Sequence, residues 1–114
     1  MHKENNNVKI LKSKIKKYSE EIQEIKTYIL PDGSSKLELS SACSYINNLE
    51  ISAIDRMFLN MTLTRYLEIK KLPKLANQIL KLVEKENKDI NDPFISWEVS
   101  EFYKQRILLK NKRK

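Results

Sequence analysis

The chain has 114 residues, of which 40% are hydrophobic and 32% are charged, and its formal net charge is +7 at pH 7. This length and composition are typical of one globular domain with its own core, and they argue against disorder except at the tips. With one glycine and three prolines, the chain favours helices over sheets, which need more turn residues. We therefore predict an all-α protein of about five helices, in a single domain over residues 1–114.

The sequence also bears on location and on metal sites. Cys43 and His2 are the only residues of their types, so neither an intramolecular disulfide nor a structural zinc site is expected. The first residues lack the apolar segment of a signal peptide, and no apolar run reaches the roughly 20 residues of a membrane span. We expect a cytoplasmic protein with no membrane span, no metal and no cofactor.

Apolar residues of the first segment recur at alternating spacings of three and four. They are Val8, Leu11, Ile15, Tyr18, Ile22, Ile25 and Ile29. This heptad stripe predicts one long helix over about residues 5–30, which Pro31 and Gly33 then end. Two interpretations are open. The stripe is the core-facing side of a monomeric bundle, or it is a coil whose residues from Leu11 to Ile29 drive self-association or bind a partner.

Two shorter helices are predicted next. The first covers about residues 35–48, with Leu39, Ala42, Cys43, Ile46 and Leu49 facing inward. The next is expected to start at an N-cap, Ser52, and to end near Lys70. Its predicted buried residues are Ile54, Met57, Phe58, Met61 and Leu67.

Two more helices are predicted to complete the bundle over residues 35–110. Pro73, at a favourable first helical position, starts a helix that ends near Glu86, and residues 87–91 are predicted to be a loop. Asp92 and Pro93 then repeat the pattern of a cap followed by proline. The inward residues of these helices are Leu75, Ile79, Leu80, Val83, Ile95, Val99, Phe102 and Leu109.

The positive charge is concentrated at the two ends of the chain, whereas residues 18–103 carry a charge of −4. This localisation suggests a polyanionic partner, and lysine suits attraction to a phosphate backbone better than base reading. The alternative is that the lysines are solvated faces of a lysine-rich protein. The candidate nucleic-acid-binding residues are Lys9, Lys12, Lys16, Lys17, Lys104, Arg106, Lys110, Lys112, Arg113 and Lys114, the last few forming a basic tail over residues 110–114.

No pattern of an enzyme is present. A phosphate-binding loop needs several glycines, and the single histidine lies in the terminal segment, where nothing orients it for nucleophilic catalysis. Glu98 and Glu101 share a helix face but lack a histidine partner, and we interpret them as the solvated side of an amphipathic helix. We interpret Trp97 as a core or interface anchor rather than a platform for base stacking.

Two segments carry a resemblance to a known family. The first segment is Asn-Leu-Glu-Ile at 48–51, followed by Thr-Arg-Tyr at 64–66. The second is Asp-Pro-Phe-Ile at 92–95, which leads into Tyr-Lys-Gln at 103–105. Over about residues 45–110 the chain resembles the small subunit of the terminase of tailed phages. This resemblance implies an oligomeric, non-catalytic DNA-recognition component of a packaging motor whose large subunit is the enzyme.

We therefore expect a non-enzymatic nucleic-acid-binding and assembly factor of phage or mobile-element type, with DNA as partner and self-association through the heptad stripe. The alternative is a helical protein-binding module, such as an immunity, inhibitor or adaptor protein. Its basic ends would engage an acidic protein or an anionic surface.

Overall fold

The computed structural model describes residues 5–29 and 37–112, the side chain of Lys112 excepted. Regular structure in these ranges is entirely helical, which confirms the all-α prediction. The six helices are α1 (Asn6–Lys17), α2 (Ser19–Ile29), α3 (Leu39–Asn48), α4 (Ala53–Ile69), α5 (Pro73–Ile90) and α6 (Pro93–Lys112).

Helix α4 lies at the centre of the fold and contacts α2, α3, α5 and α6. A helix that is covered on several sides must be apolar around most of its circumference. The sequence of α4 meets this condition, and half of the largest fully buried side chains of the described residues belong to it. They are Met57, Phe58, Leu59, Met61, Leu63 and Leu67.

The predicted single helix over residues 5–30 is wrong at Tyr18, where the backbone leaves the helical region (φ −107°, ψ 26°) and separates α1 from α2. Tyr18 N–H still donates to the Lys14 carbonyl, and its own carbonyl accepts from Ile22 N–H, so the two helices abut. Basic residues end α1 and acidic residues begin α2, an arrangement that stabilises two separate helix dipoles.

The predicted start signals of the later helices are confirmed. The Ser52 hydroxyl accepts from Asp55 N–H at 3.1 Å, and a carboxylate oxygen of Asp92 accepts from Ile95 N–H at 2.9 Å. The predicted loop over 87–91 is wrong, because α5 continues to Ile90. Asn87 lies inside the last turns of α5. Its side-chain oxygen accepts a hydrogen bond from Asp92 N–H at 2.8 Å and thereby closes the turn into α6.

A tight turn joins α4 to α5. Leu72 N–H donates to the Leu67 carbonyl and Lys71 N–H donates to the Glu68 carbonyl, the two hydrogen bonds of a Schellman motif. Lys71 holds the left-handed position of this motif with φ 65°. Glycine is the usual residue there because a side chain with a Cβ is strained in that conformation.

Aromatic rings connect the end of α1 to α6 through the core. The ring of Tyr18 lies 6.2 Å from that of Phe58, Phe58 lies 6.3 Å from Phe94, and Phe94 lies 6.0 Å from Trp97. Such separations are within the range of favourable aromatic pairs.

Among the described helices none combines the length and the apolar character that crossing a membrane requires.

Candidate functional site

The exposed side of α1 carries a row of lysines. Lys9, Lys12 and Lys16 are all exposed, and at about 100° per residue they lie within about 60° of one another around the helix. The opposite side of α1 faces α2 and α6. We call Lys9, Lys12 and Lys16 the lysine row; it is a stripe of positive charge turned away from the core.

Two further lysines of α1 turn toward the protein and contact Asp55 of α4. Lys14 Nζ and the Tyr18 hydroxyl donate hydrogen bonds to the two carboxylate oxygens of Asp55, and Lys17 Nζ lies 3.7 Å from one of them. Burial acts to raise the pKa of Asp55, but the hydrogen bonds from Lys14 and Tyr18 and the two lysine charges together lower that pKa below its ordinary value. Lys17, a candidate phosphate contact, is thus shared with Asp55, although its side chain is 67% exposed.

The same contact acts on the tyrosine. Burial of the ring, followed by the hydrogen bond to the Asp55 carboxylate, raises the pKa of Tyr18 to about 12. Tyr18 therefore stays a neutral hydrogen-bond donor over the physiological pH range. None of the twelve residues of α1 is buried, and this cluster attaches the end of α1 to α4 through polar contacts.

The basic residues of α6 do not share one surface. Lys104 is exposed and pairs with Glu101 at 3.4 Å. The Tyr103 hydroxyl donates to Glu84 of α5 at 2.7 Å, so Tyr103 is on the side of α6 that faces α5. Lys110 follows Tyr103 by seven residues, about two turns, and therefore lies on that same side, where it is exposed. The Lys112 side chain, Arg113 and Lys114 lie outside the described residues.

Arg106 is bound into the fold. Its Nε and Nη2 each donate to Glu68 of α4 at 2.8 Å, and its Nη1 donates to Asn77 of α5 at 2.8 Å. The guanidinium also lies 4.7 Å from the centre of the Phe102 ring. The hydrogen bonds that Arg106 donates to the Glu68 carboxylate raise the pKa of Arg106 above its ordinary value, against a smaller opposing effect of burial. Arg106 therefore joins α4, α5 and α6, and we leave it out of the proposed nucleic-acid surface.

An apolar groove of about 500 Å³ opens between α1, α4 and α6. Several large apolar side chains at its edges are well exposed, among them Ile15 (47%), Ile69 (64%) and Leu109 (54%). Leu109 was predicted to face the core, and it instead forms part of this surface. The apolar walls consist of Leu11, Ile15, Ile69, Trp97, Phe102 and Leu109.

Polar residues at the groove are already paired across helices. Arg65 of α4 donates to Glu98 of α6, and Arg106 holds Glu68 as described. The prediction that Glu98 belongs to a solvated face is wrong: its side chain has 0% exposure, and Oε1 accepts no hydrogen bond from the described residues. The apolar residues on both sides of Glu98, namely Phe94, Ile95, Trp97 and Val99, are the sequence signal for this burial.

The structure also locates the heptad stripe. Tyr18, Ile25 and Ile29 are buried in the core of the same chain, whereas Leu11 and Ile22 are half-buried and pack against that core. Ile15 is exposed in the groove. Self-association through this stripe stays a prediction, and surface for it remains at Leu11, Ile15 and Ile22.

Sequence reasoning missed both Asp55 as the anchor of α1 and the groove. Asp55 follows Ser52 by three residues, and this spacing gave only its position in the first turn of α4. The groove depends on how three helices are placed, and no local pattern encodes that.

No protein-family model, no curated protein and no solved structure matches the chain. The resemblance to the terminase small subunit therefore stays a prediction.

Proposed function

We propose that the protein is a non-enzymatic nucleic-acid-binding and assembly factor, with duplex DNA as its partner. The observation that carries the proposal is the lysine row, three exposed cations aligned along one side of a helix. Lysines in such a row contact phosphates without reading bases, and their affinity falls as salt rises. The basic residues at 110–114 add a second set of phosphate contacts.

The contact between α1 and α6 places the lysine row and the basic end of α6 on neighbouring helices, although Lys110 itself lies on the α5 side. Lys14 Nζ lies 5.6 Å from the centre of the Phe94 ring at the start of α6, and Leu11 and Ile15 share the groove with Leu109 near its end. In this proposal several copies bind together along DNA, which raises the overall affinity without new contacts. A DNA-recognition subunit of a phage packaging terminase is the specific form that the sequence resemblance suggests.

A fluorescence-anisotropy titration with a short duplex tests the proposal, repeated over a salt series that begins at about 50 mM. We expect the logarithm of the affinity to fall linearly with the logarithm of the salt concentration. Replacing Lys9, Lys12 and Lys16 together by glutamine is expected to reduce the slope by about 2 to 3, because each lost phosphate contact removes roughly one released counterion.

The matched control replaces Lys81, Lys85 and Lys88 by glutamine. These exposed lysines lie on α5, and their loss changes the net charge by the same amount. A second variant, with Lys110, Lys112, Arg113 and Lys114 replaced by glutamine, is expected to weaken binding sharply. Equal losses in the row variant and the α5 control would contradict a defined surface, and absence of binding at low salt would contradict the function.

A second candidate function is a helical protein-binding module, and the apolar groove is the observation that favours it. Exposed apolar surface beside polar residues is a common feature of protein interaction sites. Under this function the lysines of α1 attract an acidic protein and the groove receives it. Retention of a protein partner, with no binding of duplex DNA, would favour this candidate over the first.

A further inference from the structure

The groove between α1, α4 and α6 combines apolar walls with a basic setting. α1 has five lysines and no acidic residue, although two of them, Lys14 and Lys17, contact Asp55 of α4, and α6 has four basic residues against two acidic ones. The acidic residues that reach the groove, Glu68 and Glu101, are each paired with a basic residue of α6. An occupant therefore contacts an apolar floor and approaches through a field of net positive charge.

We propose that this groove binds an acidic amphipathic helix of a partner protein. The inference rests on the second candidate function and deepens it by naming the surface and the chemistry of the partner. It can be tested apart from DNA binding, because Ile69 and Leu109, which give the groove its apolar contact, are not part of the lysine row.

The length of the groove suits a helix. Its lining residues on α6 run from Trp97 to Leu109, a separation of twelve residues and thus about 18 Å along the axis. A partner helix of about three turns covers that length and presents apolar side chains at i, i+4 and i+7. Ile15 and Ile69, on the two helices that flank α6, are exposed enough to contact such anchors.

Charge selects an acidic partner over a second copy of this chain. Ile15 is about 60° around α1 from Lys12, so a helix seated on Ile15 lies close to the lysine row. Two copies packed groove to groove would bring two lysine-rich α1 helices together, and like charges at an interface disfavour association. Glutamate side chains on the polar face of a partner helix would instead meet the positive charge of the lysine row.

Trp97 provides the measurement, since it is the only tryptophan of the chain and it lines the groove. The probe is a synthetic peptide of about 18 residues, or five turns, without tryptophan or tyrosine. It carries leucine at i, i+4, i+7 and i+11 and glutamate at most other positions. Titration of the full chain is followed by Trp97 emission and by calorimetry at low salt.

We expect saturable binding that weakens as salt increases. The same peptide with lysine in place of glutamate, and a peptide of the same composition with a scrambled order, are expected to bind at least about tenfold more weakly. Replacing Ile69 and Leu109 together by serine is expected to weaken binding by about tenfold or more, because both anchors lose their apolar contact.

The matched control replaces Leu82 and Ile90 of α5 by serine. These side chains are also exposed, at 60% and 38%, and they do not line the groove. The control is expected to bind the peptide like the natural chain, and the groove variant is expected to bind duplex DNA like the natural chain. Circular dichroism of both variants establishes that the helices are retained.

Four results would overturn the proposal. The first is absence of binding by the acidic peptide, and the second is equal affinity for the scrambled peptide. The third is peptide binding that the Ile69 and Leu109 substitutions leave unchanged but that the loss of the lysine row weakens. This result would keep the protein-binding function while removing the groove from it. The fourth is a concentration-dependent dimer, detected by sedimentation and abolished by the groove substitutions, which would make a second copy the occupant.

Discussion

α1 and α4 differ in how closely their patterns agree with their burial. α1 has the more regular apolar spacing, yet none of its twelve described side chains is fully buried. α4 has apolar residues around most of its circumference and buries nine side chains, Asp55 included. A regular stripe thus identifies a helix with one covered side, whereas a helix that is apolar all round is the centre of a bundle. In this fold the exposed side of α1 carries the lysine row.

Removal of a buried side chain from α4 should produce the largest loss. Leu63→Ala is expected to reduce the free energy of unfolding by about 3 to 5 kcal/mol, because Leu63 is fully buried and a cavity remains at the centre of the bundle. In α1, Ile15→Ala is expected to cost less than about 1 kcal/mol, since Ile15 is 47% exposed. Urea unfolding followed by circular dichroism measures both, and equal losses would contradict the central role of α4.

The ionic contact between α4 and α6 gives the next largest effect. Arg65→Met is expected to destabilise the protein by about 3 kcal/mol, because Glu98 is left as an unpaired carboxylate with no exposed surface. Adding Glu98→Leu to Arg65→Met is expected to recover most of this loss. Denaturant titrations of the two variants test the pair. A double variant that is less stable than the single one would indicate that Glu98 has a stabilising role apart from Arg65.

The attachment of α1 to α4 should be weaker than the contacts within the bundle. Asp55→Asn removes the charge that holds Lys14 and Lys17 and is expected to cost about 1 to 2 kcal/mol. Hydrogen exchange is expected to quicken in α1 while the amides of α4 stay protected. Uniform loss of protection in both helices would show instead that α1 and α4 unfold together.

The same contact determines a pH dependence. The pKa of Asp55 is lowered in the folded state, so its stabilising effect is fully present above about pH 4, the ordinary range of the group. It is lost as the pH falls through the lowered pKa. The pKa of Tyr18 is raised to about 12, so its contribution is present below about pH 10 and is lost as the pH rises toward 12. Asp55→Asn is expected to flatten the acidic limb of the stability profile.

A small gain is expected at the turn between α4 and α5. Lys71→Gly should raise the free energy of unfolding by up to about 1 kcal/mol, because glycine accepts the left-handed backbone that Lys71 adopts. Lys70→Gly removes the same charge from a right-handed position and is expected to destabilise by about 0.5 to 1 kcal/mol. Thermal unfolding measures the stability of both variants. A loss of stability in both would indicate that the removed charge, and not the left-handed backbone at Lys71, determines the result.

Local signals in the sequence were sufficient for much of the fold. The low glycine and proline content determined the helical class, and short-range chemistry located several helix starts, such as Ser52 before α4 and Asp92 before α6. These signals act within one turn of helix, so they can be read without knowing the rest of the structure. The lysine row was equally visible, because the spacing of Lys9, Lys12 and Lys16 places them on one side of any helix.

Tertiary structure alone decided which charges are bound and where apolar surface remains. Lys14 meets Asp55 across 41 positions, Arg65 meets Glu98 across 33, and Arg106 meets Glu68 across 38. The break at Tyr18 arises where its hydroxyl reaches Asp55, and the groove exists because α1, α4 and α6 approach without closing over Ile69 and Leu109. Helical periodicity tells which side of a helix is apolar, but the partner of that side depends on the relative placement of helices far apart in the chain.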